Sequence, residues 1–178
     1  MAASSEIGLE NPRACSGCTL CCKVFNLPIL NKEAGAWCEH CTQGKGCGIY
    51  SARPAPCRTF QCMWTVAGAL GEEWRPDNAG FVIAADGMLI SIVVDPETPD
   101  AWREQPYYAQ LKRWSVRNRP NYLTVIVRTP NQSIVIFPET DIALGPARKG
   151  FEIRSGYRNE NGRAVPFAHF EAAPVAGS

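Results

Sequence analysis

What this chain lacks narrows its reading quickly. No stretch approaches the roughly 18–20 consecutive apolar residues a membrane helix needs. The opening MAASSEIGLENPRAC has no basic cluster followed by an apolar run, so neither a span nor a secretory leader is expected and a reducing cytosol is the expected compartment. No charge dominates: 18 Lys and Arg stand against 17 Asp and Glu, for a net charge of +1. The balance is six against four over residues 1–65 and twelve against thirteen beyond them. Such a chain gives no electrostatic reason to expect nucleic acid or an anionic membrane as partner. Glycine-rich loops of the kind that hold S-adenosylmethionine after a strand are absent, as is the C-x3-C-x2-C spacing of radical chemistry on that cofactor. The last 116 residues contain no cysteine.

What is present is concentrated in the first third. All nine cysteines precede Met63: Cys15, Cys18, Cys21, Cys22, Cys38, Cys41, Cys47, Cys57 and Cys62. An odd count suits a closed disulfide framework poorly, and in a reducing compartment clustered thiols point to metal or redox chemistry. Residues 1–14 are expected to be a flexible lead-in, 15–64 a cysteine-cluster metal-binding module, 65–171 an α+β scaffold, and 172–178 a frayed tail. The module is rich in Cys, Gly and Pro and lacks sustained periodicity. About 50 residues without a hydrophobic core need a metal or a larger domain to lean on.

The spacing suggests one short helix in the module, Asn31–Trp37, with Asn31 as N-cap. Beyond Cys62, residues 80–85 and 88–94 read as a hairpin turning at Asp86-Gly87. Pro99 to Asn118 reads as the main helix, with Asp100 as cap and Trp102, Leu111 and Trp114 on one face. Strands follow at Tyr122–Arg128 and Ser133–Phe137, and a last hairpin pairs Phe151–Tyr157 with Arg163–Phe170 across Asn159–Gly162. The expected fold class is α+β: an irregular Cys-rich metal-binding module packed on a mostly antiparallel sheet with one main helix.

Two metal readings compete for the cysteines. Cys15-x2-Cys18-x2-Cys21 is the run with which bacterial ferredoxins begin their cluster loop, although the C-x3-C-P continuation is missing and the next cysteine is the vicinal Cys22. On an extended backbone Cys21 and Cys22 would point apart and could hardly serve one ion. Cys15-x2-Cys18-x19-Cys38-x2-Cys41 falls within zinc-ribbon spacing. Cys47, Cys57 and Cys62 supply further ligands to either arrangement, and eight thiolates would fill two four-ligand centres. In Cys47–Cys62, Pro54 and Pro56 fix the approach to Cys57. Arg53 and Arg58 set positive charge beside thiolates that remain net negative once a dication is bound, and are the candidate cofactor-binding cations.

The combination CxxCxxCC, Cys41, then Cys47-x-Ile49-Tyr50-x-x-Arg53-Pro54-x-x-Cys57-Arg58-x-Phe60-x-Cys62 resembles the YkgJ-type cysteine-cluster family, described as zinc- or iron-chelating. The resemblance covers about residues 15–64. It implies metal chelation through these cysteines. Flagellin lysine N-methylases carry a related cluster, but this chain is much shorter, and Cys38, His40 and Cys41 go beyond the minimal pattern.

Other candidates have plainer explanations. His40 could ligate a metal, yet four cysteines per site suffice without it, and His169 sits on an expected strand as an ordinary imidazole. The interleaved Trp102, Tyr107, Tyr108, Trp114 and Lys112, Arg113, Arg117, Arg119 could form a stacking platform for single-stranded nucleic acid. An amphipathic helix burying those aromatics on the sheet accounts for them as well. Glu72 and Glu73 read as an exposed junction between the two parts. The sequence therefore points to a cytosolic metal-centre protein with one or two Fe–S clusters (of the 4Fe–4S type) or zinc ions, acting as a redox or protein-modification accessory with a protein partner. The alternative is a structural zinc module presenting a surface to protein or nucleic acid. Whether any reaction is catalysed stays open.

Overall fold

The structure is a computed structural model that describes residues 13–15, 17–116 and 123–174. Its strands are β1 (Cys41–Thr42), β2 (Gly46–Cys47), β3 (Phe81–Asp86), β4 (Leu89–Val94), β5 (Thr124–Thr129), β6 (Gln132–Ile136), β7 (Asp141–Ala143), β8 (Phe151–Glu160) and β9 (Arg163–Ala172). Its α-helices are α1 (Cys21–Val24), α2 (Ala55–Thr59), α3 (Met63–Val66), α4 (Pro76–Ala79) and α5 (Tyr107–Trp114). Strands β3 to β7 lie in chain order in one sheet, while β1–β2 and β8–β9 are separate two-stranded ribbons. Every pairing is antiparallel except β4 with β5. A parallel step needs a crossover, and α5 lies in the one between these two strands. The architecture is α+β, as the pattern of strands and one main helix predicts.

The sheet is covered on both faces because β-branched and aliphatic residues occupy both sides of its middle strands. Ile90, Ile92, Val94, Val125, Val127, Ile134 and Ile136 share one core cluster with Trp102, Tyr107 and Leu111 from the crossover. On the opposite face Ile126, Val135 and Phe137 pack with Ile153, Tyr157 and Ala168 from the β8–β9 hairpin. Each fully buried aliphatic side chain contributes about 1.5–3 kcal/mol, so this double coverage is what holds the scaffold.

The cysteine segment leans on that scaffold. Cys18, Leu20, Val24, Cys62, Trp64, Ala67, Leu70 and Trp74 belong to the same core cluster as Phe81 and Ile83 of β3. Cys62 forms an isolated antiparallel bridge with Ala84 of β3. Lys23, the residue after Cys22, is buried and paired with Asp95 at 2.7 Å, just past β4.

Three expectations need correction. The helix expected from Pro99 is broken: a 3-10 turn spans Ala101–Arg103, and α5 begins after Pro106, which has no N–H to carry a helix through. Asp100 makes no cap; its Oδ1 accepts from Arg103 Nε at 3.2 Å, and Arg117 to Tyr122 lie outside the described residues. No helix forms over 31–37. Pro28–Leu30 is a 3-10 turn that ends at Asn31 with φ 49°, and Leu27 and Lys32 then bridge back on one another. The first hairpin turns at Gly87-Met88, one residue later than expected, because Asp86 pairs with Leu89. The second turns at Asn161-Gly162, both at positive φ (51° and 81°), the signature of a type I′ turn, and Glu160 pairs with Arg163 across it.

Candidate metal centre

The cysteines are brought together by turns rather than by long elements. Gly17, at φ +75°, lies within the Cys15–Cys18 loop, and a side chain there would meet Gly44 O at 3.2 Å; glycine thus lets this loop lie against the β1–β2 turn. Cys15 Sγ donates to Cys18 O at 3.7 Å. Helix α1 carries Cys21 and Cys22 on one helical turn rather than on an extended strand. The expectation that they point apart assumed an extended backbone and is corrected here. The second knuckle is a turn closed by Cys41 N–H to Cys38 O at 3.0 Å, docked by Cys38 N–H to Cys22 O at 3.0 Å. β1 and β2 set Cys41 directly opposite Cys47. Cys57 lies in α2, entered through Pro54 in extended conformation. None of the nine cysteines is in a disulfide.

Two groupings emerge. Cys18 and Cys62 are buried in the core beside the sheet. The backbone N–H groups of Leu20 and Asp77 near Cys18, and of Trp64 and Thr65 near Cys62, favour the thiolate. Burial pushes the Cys62 thiol up to about 11, with Cys15 and Cys18 adding to the rise and the two N–H groups opposing it. Burial also raises Cys18 and Cys15, Cys15 feeling Cys18 and Cys22 as well, while Arg75 and Arg53 pull it back. The other grouping centres on Cys22, whose thiol is raised first by its neighbour Cys21, then by burial. Burial raises Cys41 to about 11, and Cys22 and Cys38 add to it. Cys57 is raised by burial and by Cys22, Cys38 and Cys47. Cys18 and Cys62 share one core cluster, while the backbone ties Cys38 to Cys22 and sets Cys41 opposite Cys47.

Cations line both groups, and sequence reasoning identified some of them. Arg53 stacks on the Tyr50 ring at 3.7 Å, donates to Tyr50 O and Cys57 O, and acts on Cys15 and Cys57. Arg58 is exposed and donates to Arg53 O at 2.8 Å. Three further cations were missed: Arg75, beside Cys15 and Cys18, and the buried pair Lys23 and Lys32. Burial works against the Lys23 ammonium, but Asp95 and Glu97 more than offset it and raise its pKa. Burial lowers that of Lys32, against the pull of four thiols. A lysine within two residues of a cysteine pair looks like any surface lysine in sequence. The signal was its position in a segment with few other charges.

The remaining candidates settle simply. His40 Nε2 lies 3.6 Å from Glu39 Oε1, and His169 is exposed and stacked on Phe167. Trp102 and Tyr107 are buried, and Lys112 is held by Asp141 Oδ1 at 2.8 Å and Phe137 O at 2.7 Å. Glu72 and Glu73 are exposed on a 3-10 turn.

Among the described residues, no three His, Cys, Asp or Glu side chains converge as a ready-made ion site. The donor chemistry nonetheless suits a soft cation or cluster: clustered free thiols with cations at hand to balance thiolate charge. No protein-family model matches the chain, and no curated protein or solved structure is similar to it. The likeness to the YkgJ-type family therefore rests on the residue 15–62 motif alone.

Proposed function

We propose that residues 15–62 hold one or two thiolate-bound metal centres, Fe–S clusters or zinc ions, in a cytosolic redox or protein-modification accessory of the YkgJ type. The observation that carries this reading is the gathering of nine free cysteines by short turns and ribbons, with Cys18 and Cys62 buried in one core cluster although more than forty residues apart in the chain. Free thiols at this density suit a soft cation or cluster. A bound cluster would supply one-electron chemistry, whereas a zinc ion would supply structure.

The residues' own part is to hold and release protons. Burial keeps the thiols protonated in the absence of a cation, so loading must displace those protons and tighten with rising pH. Arg53 and Arg75 then offset thiolate charge near Cys15. Free thiols in such number also fit a reducing compartment.

The test is anaerobic purification with iron, zinc and acid-labile sulfide measured on one sample together with its visible spectrum. A brown protein with comparable iron and sulfide supports the cluster; a colourless one with stoichiometric zinc supports the zinc form. Cys18→Ser and Cys57→Ser should each lose metal and protease resistance in the N-terminal third. Wild-type protein free of both metals, or unchanged metal content in both variants, refutes the reading.

A further inference from the structure

The β1–β2 ribbon is only two residues to a strand, and each strand carries a cysteine. Cys41 pairs with Cys47, and Thr42 with Gly46. The next residues out, His40 and Gly48, are joined by Gly48 N–H to His40 O at 2.8 Å. Bonded and non-bonded pairs alternate along an antiparallel ladder, so Cys41 and Cys47 are a non-hydrogen-bonded pair. Such residues face each other on one side of the ribbon with Cα atoms about 4.5 Å apart. That lies inside the roughly 4.4–6.8 Å that a disulfide spans.

The ribbon is held so that the two thiols stay face to face. Lys45 N–H closes its turn on Thr42 O at 2.9 Å. Gly44 and Gly46, at φ +71° and +129°, take backbone conformations that a side chain would strain. Gly44 N–H also donates to Thr19 Oγ1 at 3.2 Å, which ties the turn to the segment before α1. Cys41 and Cys47 are both free and only half-buried, whereas Cys18, Cys38 and Cys62 are buried. An oxidant therefore reaches the ribbon pair more readily. Two neighbouring pairs are less suited. Cys21 and Cys22 are adjacent on a helical turn, where successive side chains do not face each other, and Cys38, three residues before Cys41, is shielded by burial.

We infer that Cys41 and Cys47 are a thiol–disulfide site, oxidised by a small disulfide of the glutathione class. One thiolate attacks that disulfide, forming a mixed disulfide and releasing the first reduced thiol. The second thiolate attacks the protein sulfur of the mixed disulfide and releases the other. Two protein thiols are thus oxidised to one S–S bond, while the oxidant is reduced to two thiols that take up the two protons. In a reducing compartment such a bond is transient, and its exposure makes it labile. The inference goes beyond the metal-binding reading and does not depend on it. Where both hold, sulfurs joined to each other are no longer thiolates, so closure withdraws Cys41 and Cys47 from any centre.

The test uses the full chain, reduced and metal-free, equilibrated with mixtures of reduced and oxidised glutathione. Remaining thiols are blocked, and linked peptides are located by mass spectrometry with fragmentation. The expected result is a chain two hydrogens lighter, whose first-formed bond joins Cys41 to Cys47 and reopens as the share of reduced glutathione rises. Cys47→Ser should instead accumulate glutathione on Cys41. A first bond joining Cys41 to Cys38, or Cys47 to Cys57, overturns the inference, as does a wild-type chain with no bond between Cys41 and Cys47 at any ratio. The wild-type map decides by itself if Cys47→Ser does not fold. Each of these results leaves the metal-binding reading standing, since that rests on the iron and zinc content of the anaerobic protein.

Discussion

Replacing Asp95 with alanine should loosen the grip of the sheet on the cysteine segment by a measurable amount. Lys23 has a side-chain exposure of 3% and Asp95 of 13%, with Nζ 2.7 Å from Oδ1 and 3.0 Å from Oδ2. Glu97 adds a contact at 2.9 Å, but its side chain is 76% exposed and its attraction is weakened by water. Removing one partner of a buried ion pair costs about 3–5 kcal/mol. With Glu97 left to share the charge, the lower end applies, about 3 kcal/mol. That figure includes the loss of the Glu97 N–H bond to Asp95 Oδ1 at 3.0 Å, itself worth about 1 kcal/mol. At about 2 kcal/mol per molar of urea, the unfolding midpoint should drop by roughly 1.5 M. Urea titration followed by circular dichroism measures it. Hydrogen exchange should show the earliest opening at Gly35, whose N–H bonds to Lys23 O at 2.9 Å. The double variant Lys23→Met/Asp95→Leu should regain most of the loss, since an apolar replacement removes the stranded charge. A midpoint for Asp95→Ala within about 0.2 M of wild type would refute the reasoning, because a buried ammonium cannot lose its main counter-ion so cheaply.

Three further perturbations follow from other parts of the fold. Leu111→Ala empties a fully buried position on α5 and should cost about 2–5 kcal/mol, read as a lower denaturant midpoint at unchanged slope. Tyr107 is raised by burial and by Glu73 and Glu104. The unfolded phenol loses its proton near pH 10 while the folded one keeps it, so stability should fall as pH climbs past about 10. Melting temperatures from pH 8 to 11 should decline less in Tyr107→Phe, and an identical decline would count against it. Gly162→Ala places a side chain at φ +81° in the β8–β9 turn and should destabilise by about 1 kcal/mol, visible as exchange of the hairpin amides before those of the central sheet.

The sequence showed both hairpins because β-rich runs flank glycine-bearing turns, although the first closed at Gly87-Met88 rather than at Asp86-Gly87. It misjudged the crossover because an expected cap at Asp100 and a run of apolar and aromatic residues through Trp114 outweighed the break at Pro106. The cysteines announced a site but not its layout. Cys62 shares a core cluster with Cys18 across more than forty residues, and no short-range spacing encodes that. Lys23 and Lys32 were invisible for a related reason: a lysine earns its place inside only through groups supplied from elsewhere in the chain, here Asp95 for one and a ring of carbonyls for the other.

The bridge between Cys62 and Ala84 places the cysteine segment along β3, the outermost strand of the five-stranded sheet. An uncovered outermost strand offers a row of unpaired backbone groups to any other chain that passes, and β3 is apolar, reading Phe-Val-Ile-Ala-Ala. Where Cys62 bridges to Ala84 the cysteine segment covers part of that edge, and displacing it would leave β3 open to strand addition.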